Sequence, residues 1–151
     1  MTLSGGTPAR RSLSRSVALF AIAFILNWVW EAAQAAAYVE TQGPLAFRVW
    51  HCVPMAVIDA LWVVGLYLVT LTTLELGARR DSRVARYIGM AGLGALTATI
   101  LETYAVSTRR WTYAPIMPIL PVLQVGLWPL LQMLLLPVLA VWAAERYVRE
   151  R

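Results

Sequence analysis

The sequence predicts an all-α fold: a polytopic transmembrane bundle of four helices, the last preceded by a Pro-rich broken or re-entrant segment. Three observations predict it. The 151 residues are 60% hydrophobic and 14% charged, against roughly 25% charged in ordinary soluble domains. The apolar residues gather into runs of about the 20 residues that a helix needs to cross a bilayer core. The cations are 13 arginines, with no lysine, and they flank those runs. The net charge of +5 therefore reads as membrane topology, not as nucleic-acid contact. Such a chain makes one bundle over residues 16–147, with a basic tail over 1–15 and a short tail over 148–151.

The first apolar segment runs from about Ser16 to Tyr38, the second from Cys52 to Leu74 and the third from Arg86 to Val106. Gly89, Ala91, Gly92, Gly94, Ala95 and Ala98 make the third a small-residue surface, which permits close helix contact in a membrane. The fourth lies within Ile116–Tyr147 and carries Pro118, Pro121, Pro129 and Pro137. It is longer than one crossing needs and too short for two. It reads either as a Pro-broken piece up to Gly126 followed by one helix, or as a single kinked helix. Cys52 is alone, so no intrachain disulfide forms.

Arginine placement predicts orientation. Arg10, Arg11 and Arg15, then Arg79, Arg80, Arg83 and Arg86, then Arg146, Arg149 and Arg151 fall on one side; Arg48, Arg109 and Arg110 fall on the other. Both termini are expected in the cytoplasm of a bacterium, with the chain in its inner membrane. The basic start, apolar run and "AAQAAA" also fit a cleaved secretory signal, but Asn27 and Glu31 interrupt what should be a clean apolar stretch.

Polar residues inside the segments carry the functional signal. Asn27, Glu31 and Gln34 are spaced i, i+4, i+7 and share a helix face bordered by Trp30. His51, Met55 and Asp59 repeat the spacing in the second segment, above Trp62. Thr99 and Glu102 share a face in the third. Gln124, Trp128 and Gln132 do so in the fourth, if it is helical there. At about 1.5 Å per residue, Glu31 lies ~21 Å and Glu102 ~24 Å from the inner edge of a ~30 Å core, and Asp59 ~10 Å below the outer edge. Three helices thus place an acid at one level. Each costs about 2.5–3.5 kcal/mol at a helix centre, so all three are expected to face the interior.

The order Asn27, Trp30, Glu31, Gln34, then His51, Asp59 and Glu102, then Trp111-x-Tyr113-x-Pro115, Met117-Pro118 and Gly126-Leu127-x-Pro129-x-x-Gln132 resembles a group of small four-helix bacterial membrane proteins. That resemblance spans Asn27 to Gln132 and implies fold and topology, not an activity. "NWVWE" is similar to the Asn-x-x-Trp-Glu segment of fungal membrane-bound terpene cyclases, which implies an acid role for Glu31. "RRWTYAP" looks like the Trp-x-Tyr-x-Pro loop of lycopene cyclase domains, but "PLLQ" stands where those domains carry paired glutamates. The fungal cyclases are also longer, with more helices.

One reading of these residues is an enzyme that cyclises or isomerises an isoprenoid or other membrane lipid by acid initiation. Glu31 is the acid, Asp59 its partner, and Glu102 a further catalytic carboxyl shaping the mouth with Arg109. Asn27, Trp30, Gln34, His51, Trp62, Trp111, Tyr113 and Gln124 complete the substrate-binding set with Arg109, the aromatic faces stabilising a cation. Against it stands a structural reading. Glu31 and Glu102 pair with Arg109 or Arg110, the amides are interhelical glue, His51 is interfacial and the tryptophans form belts. A non-enzymatic accessory or lipid-binding subunit, with a homo-oligomeric or membrane-protein partner, and a proton-coupled carrier are the other functions weighed. No cofactor or metal is expected: one histidine makes no bis-His haem pair or His-rich metal site, and no HExxH, GxSxG or phosphate loop occurs.

Overall fold

The computed structural model describes residues 8–77 and 82–149. Five helices follow in order: α1 (Pro8–Gln34), α2 (Leu45–His51), α3 (Val53–Leu76), α4 (Arg83–Ser107) and α5 (Leu127–Arg149), with a single 3-10 turn at Ala35–Ala37 after α1. Among the described residues, four spans are long and apolar enough to cross a membrane: Arg15–Ala37, Leu45–Leu76, Arg83–Ser107 and Leu127–Val148. The chain is a multi-pass, all-α membrane protein. Around the bundle α1 packs on α3 and α5, and α4 packs on the same two from the opposite corner. Loops 38–44 and 108–126 meet at one end, called the cap end here; the end of α3 and the start of α4 lie at the other, the tail end.

The expected segments are present with shifted ends. α1 begins well ahead of Ser16, although the side chains of its first turns, including Arg10 and Arg11, lie outside the described residues. So do Arg79, Arg80 and Arg151. The second segment gains α2, which breaks at Cys52 before α3 restarts; Pro54 has no N–H to continue an unbroken ladder. Ser82 caps α4 by accepting from the Ala85 N–H at 3.2 Å. The fourth segment resolves as broken rather than kinked: residues 108–126 form turns, and helix begins only at Leu127. Within those turns the Leu127 N–H donates to the Pro118 carbonyl at 2.8 Å and the Leu120 N–H to Val125 at 2.9 Å.

The core between the helices is apolar towards the tail end, with Leu19, Ala23, Val63, Leu66, Met90 and Val141 all buried. Val29, Ile58, Leu61, Leu96 and Leu139 point outward, which in a bilayer is an apolar solvent for them. Gly94 sets the α4–α5 distance. A Cβ added there would stand 1.9 Å from the Met133 carbonyl oxygen and 3.6 Å from Pro137 Cγ. Pro137, inside α5, has no N–H to give to the carbonyl four residues back, which is Met133. The freed carbonyl therefore lies against the glycine backbone of the neighbouring helix, where a proline is tolerable at membrane depth.

Candidate functional site

At the cap half the interior turns polar. Asn27, Glu31 and Gln34 follow one face of α1 because their spacing matches the helical repeat, and that face meets Gln132 on α5 and Asp59 on α3. Gln132 is the hub. Its Nε2 lies 3.0 Å from Asn27 Oδ1, 2.9 Å from Glu31 Oε1 and 3.1 Å from Asp59 Oδ2. An amide nitrogen carries two hydrogens, so three acceptors share two donors. Gln34 Nε2 adds a donor, 2.9 Å from Glu31 Oε1 and 2.7 Å from Gln132 Oε1, while Gln34 Oε1 accepts from Trp30 Nε1 at 3.1 Å. Asn27 gives one amide hydrogen to the Ala23 carbonyl at 2.8 Å, and its oxygen faces the hub. The Glu31 and Asp59 carboxyl groups thus converge on one amide nitrogen.

Glu102, buried on α4, is gripped separately by the cap. Tyr38 Oη donates to Oε1 at 3.3 Å; Trp111 Nε1, at 3.3 Å, and Tyr113 Oη both donate to Oε2. Tyr113 Oη in turn accepts from the Gly126 N–H at 2.9 Å. Two chain segments are laced together above it: the Val39 N–H donates to Thr112 and the Ala114 N–H to Ala37, both at 2.9 Å. Burial pushes the Tyr38 and Tyr113 phenols well above the ordinary tyrosine range, and the Glu102 carboxyl pushes them further. Both therefore remain hydrogen-bond donors to that carboxyl. At the exposed edge, Glu40 Oε2 accepts from the Thr112 N–H at 3.1 Å. Slight burial works against it, but the bonds from Thr112 and from its own backbone hold Glu40 below the usual carboxylate range.

Of the residues singled out from the sequence, Asn27, Trp30, Glu31, Gln34 and Asp59 converge in one cluster, and Glu102, Trp111 and Tyr113 form a second beside it. The others stand apart. His51 is exposed and stacks on Phe47 at 5.0 Å; the break at Cys52 takes it off the α3 register that carries Asp59. Trp62 is exposed on the bundle surface, its Nε1 3.3 Å from Thr97 Oγ1. Gln124 is exposed at a turn with φ 55°, its Nε2 donating to the Pro121 carbonyl, so it shares no helical stripe with Trp128 and Gln132. Arg109 and Arg110 are exposed too. The turn ending α4 puts Arg109 at φ 56°, and Arg110 lies over the Tyr104 ring at 5.3 Å. The expected pairing of Glu31 and Glu102 with these arginines is thus overturned: among the described residues no cation reaches either acid.

Two participants were under-read from sequence. Gln132 looked like interhelical glue, and Tyr38 only marked the end of the first segment. The signal for Gln132 was its place one turn below Trp128, an amide inside an otherwise apolar helical run. On the bundle surface beside the cluster, a groove of about 320 Å³ opens between Trp30, Ala33 and Ala36 of the first span and Ile116 and Trp128, with Gln34 in its wall. No group of three or more potential metal ligands occurs among the described residues. Compared with known proteins, the chain matches no family model, no curated protein and no solved structure.

Proposed function

We propose that this membrane protein is an intramembrane acid catalyst acting on an isoprenoid or related lipid, by cyclisation or isomerisation. One observation carries the reading: Glu31 Oε1 and Asp59 Oδ2 converge on the same Gln132 nitrogen, with amides and, among the described residues, no cation around them. Two carboxylates drawn to one amide nitrogen repel each other, and a proton held by one of them relieves that repulsion; on this reading the pair is the proton donor. An isoprenoid double bond takes that proton at one carbon and leaves a tertiary cation at the next. Attack by another double bond closes a ring and moves the cation to a new carbon, and loss of a neighbouring proton to the carboxylate just formed ends the reaction and restores the acid. The balance is redox-neutral and needs no further reactant. Gln34 and Gln132 orient the carboxyls, and Trp30 offers an aromatic face. The likeness of "NWVWE" to membrane terpene cyclases supports the same chemistry. The arginine distribution supports a bacterial inner-membrane location with both termini cytoplasmic; a reporter fused after Arg151 is expected to be active only in the cytoplasm.

The deciding experiment is Glu31→Gln, read by extracted-lipid mass spectrometry and by melting in detergent. Gln is nearly isosteric and keeps an oxygen for Gln132 and Gln34. The melting temperature should stay within about 3 °C of wild type, while an isoprenoid product disappears or its precursor accumulates. An unchanged lipid profile would falsify the catalytic reading. It would favour the second reading, an accessory subunit, which the amide network between α1 and α5 also supports: such a network can serve helix association alone.

A further inference from the structure

We infer that the groove between the end of α1 and the start of α5 seats the hydrocarbon chain of the substrate, an unsaturated branched chain drawn sideways from the bilayer, and that Gln34 is the gate between this groove and the acid pair. The inference rests on the catalytic reading for the identity of the chain and on the geometry for its location.

The groove exists because Ala33 and Ala36 leave a notch where larger side chains would stand, flanked by Trp30 and Trp128. Its volume of about 320 Å³ is within the range of small-molecule sites. No charged side chain lines it. The polar atoms of Gln34 are already committed, the oxygen to Trp30 and the nitrogen to Glu31 and Gln132. A polar head group finds little to bond there, whereas a hydrocarbon chain fills it at no desolvation cost. Prenyl is favoured over straight acyl because protonation of a trisubstituted double bond yields a tertiary cation.

Gln34 belongs to both compartments. It lines the groove and donates to the Glu31 carboxylate. Rotating its amide aside releases Glu31 towards the groove, while Gln132 still holds the acid from the opposite side. Gln34 therefore acts as a positioning residue, and its removal opens a direct path.

The test uses the full chain in phosphatidylcholine nanodiscs with two photoactivatable diazirine probes, one on geranylgeraniol and one on straight-chain octadecanol. The prenyl probe should label peptides spanning 30–37 and 116–128, with excess geranylgeraniol competing. Ala33→Phe fills the notch without touching the acid network. It should cut this labelling about tenfold, the equivalent of about 1.4 kcal/mol, at unchanged melting temperature. In Gln34→Ala the labelling should spread to the Asp59 peptide, which a merely structural glutamine would not cause. Equal labelling by the saturated probe, or labelling spread over Ile58, Leu61, Leu96 and Ile100, overturns the inference. Glu31→Gln separates the two readings. If it is labelled like wild type and the lipid profile never depended on Glu31, catalysis fails and the groove stands. If the lipids depend on Glu31 but the groove stays unlabelled, the groove fails and catalysis stands.

Discussion

The two ends of the bundle handle buried acid in opposite ways. At the tail end Glu145 is paired with Arg86, and Tyr87 Oη donates to the same carboxylate at 3.4 Å. Charge meets charge near the membrane edge, where arginines lie close in sequence. In the cap half, Glu31 and Asp59 meet amides, and Glu102 meets two phenols and an indole. Cations are within reach of that end, on Arg109 and Arg110, yet both sit outside on the surface. An ion pair is a sufficient way to keep an acid in this bundle. Among the described residues the acids of the cap half have none, and hydrogen-bond donors take its place.

The largest perturbation is one that should strike both halves together. Gly94→Val would drive a Cβ into the Met133 backbone, which cannot rotate away. It should cost more than about 3 kcal/mol and separate α4 from α5. Gly92→Ala, with open space around its position, should be almost silent. Thermal melting in detergent checks both.

Next come paired substitutions that set the halves against each other. Glu145→Ala leaves the Arg86 guanidinium without this carboxylate and should cost about 3 kcal/mol, with the lipid profile per folded molecule unchanged. Gln132→Leu strips a donor from three acceptors at once and should cost about 2 kcal/mol, with the lipid profile altered. Equal effects on the lipids would break the distinction between a structural and a functional acid.

A smaller effect is confined to the cap. Tyr113→Phe removes donation to Glu102 and acceptance from Gly126. It should cost about 1 kcal/mol and speed hydrogen exchange at the Gly126 amide. Because burial and Glu102 hold the Tyr113 phenol above its unfolded pKa, its contribution is full below about pH 10 and is lost as pH rises through the folded value. Alkaline opening of the wild-type cap should shift in the Phe variant; an identical alkaline transition would show that this phenol does not hold the cap.

The smallest effect is at the rim. Glu40 is held below its usual range, so the stability it contributes is present above about pH 4.3 and fades as pH falls through the lower folded value. Glu40→Gln should change melting at neutral pH by only a few tenths of a kcal/mol, ~0.3, and flatten that acid limb.

Composition and run length alone determined the four-span, all-α architecture, because a bilayer admits few ways of burying backbone polar groups. The i, i+4, i+7 spacing of Asn27, Glu31 and Gln34 also determined that they share a face, since a helix repeat is a local property. What they face was decided by the tertiary structure. The partners come from α3 and α5, and which side chains meet depends on helix rotation and on the close approach that Gly94 permits. Local chain breaks decided the rest. A missing N–H at Pro54 accompanies the break that moves His51 off the face of Asp59, and the turns before Leu127 put Gln124 on the surface. Left-handed backbone at Arg109 goes with its placement outside the bundle. Sequence periodicity runs straight through such breaks, because it registers residue spacing and not the backbone dihedrals or long-range contacts that redirect the chain.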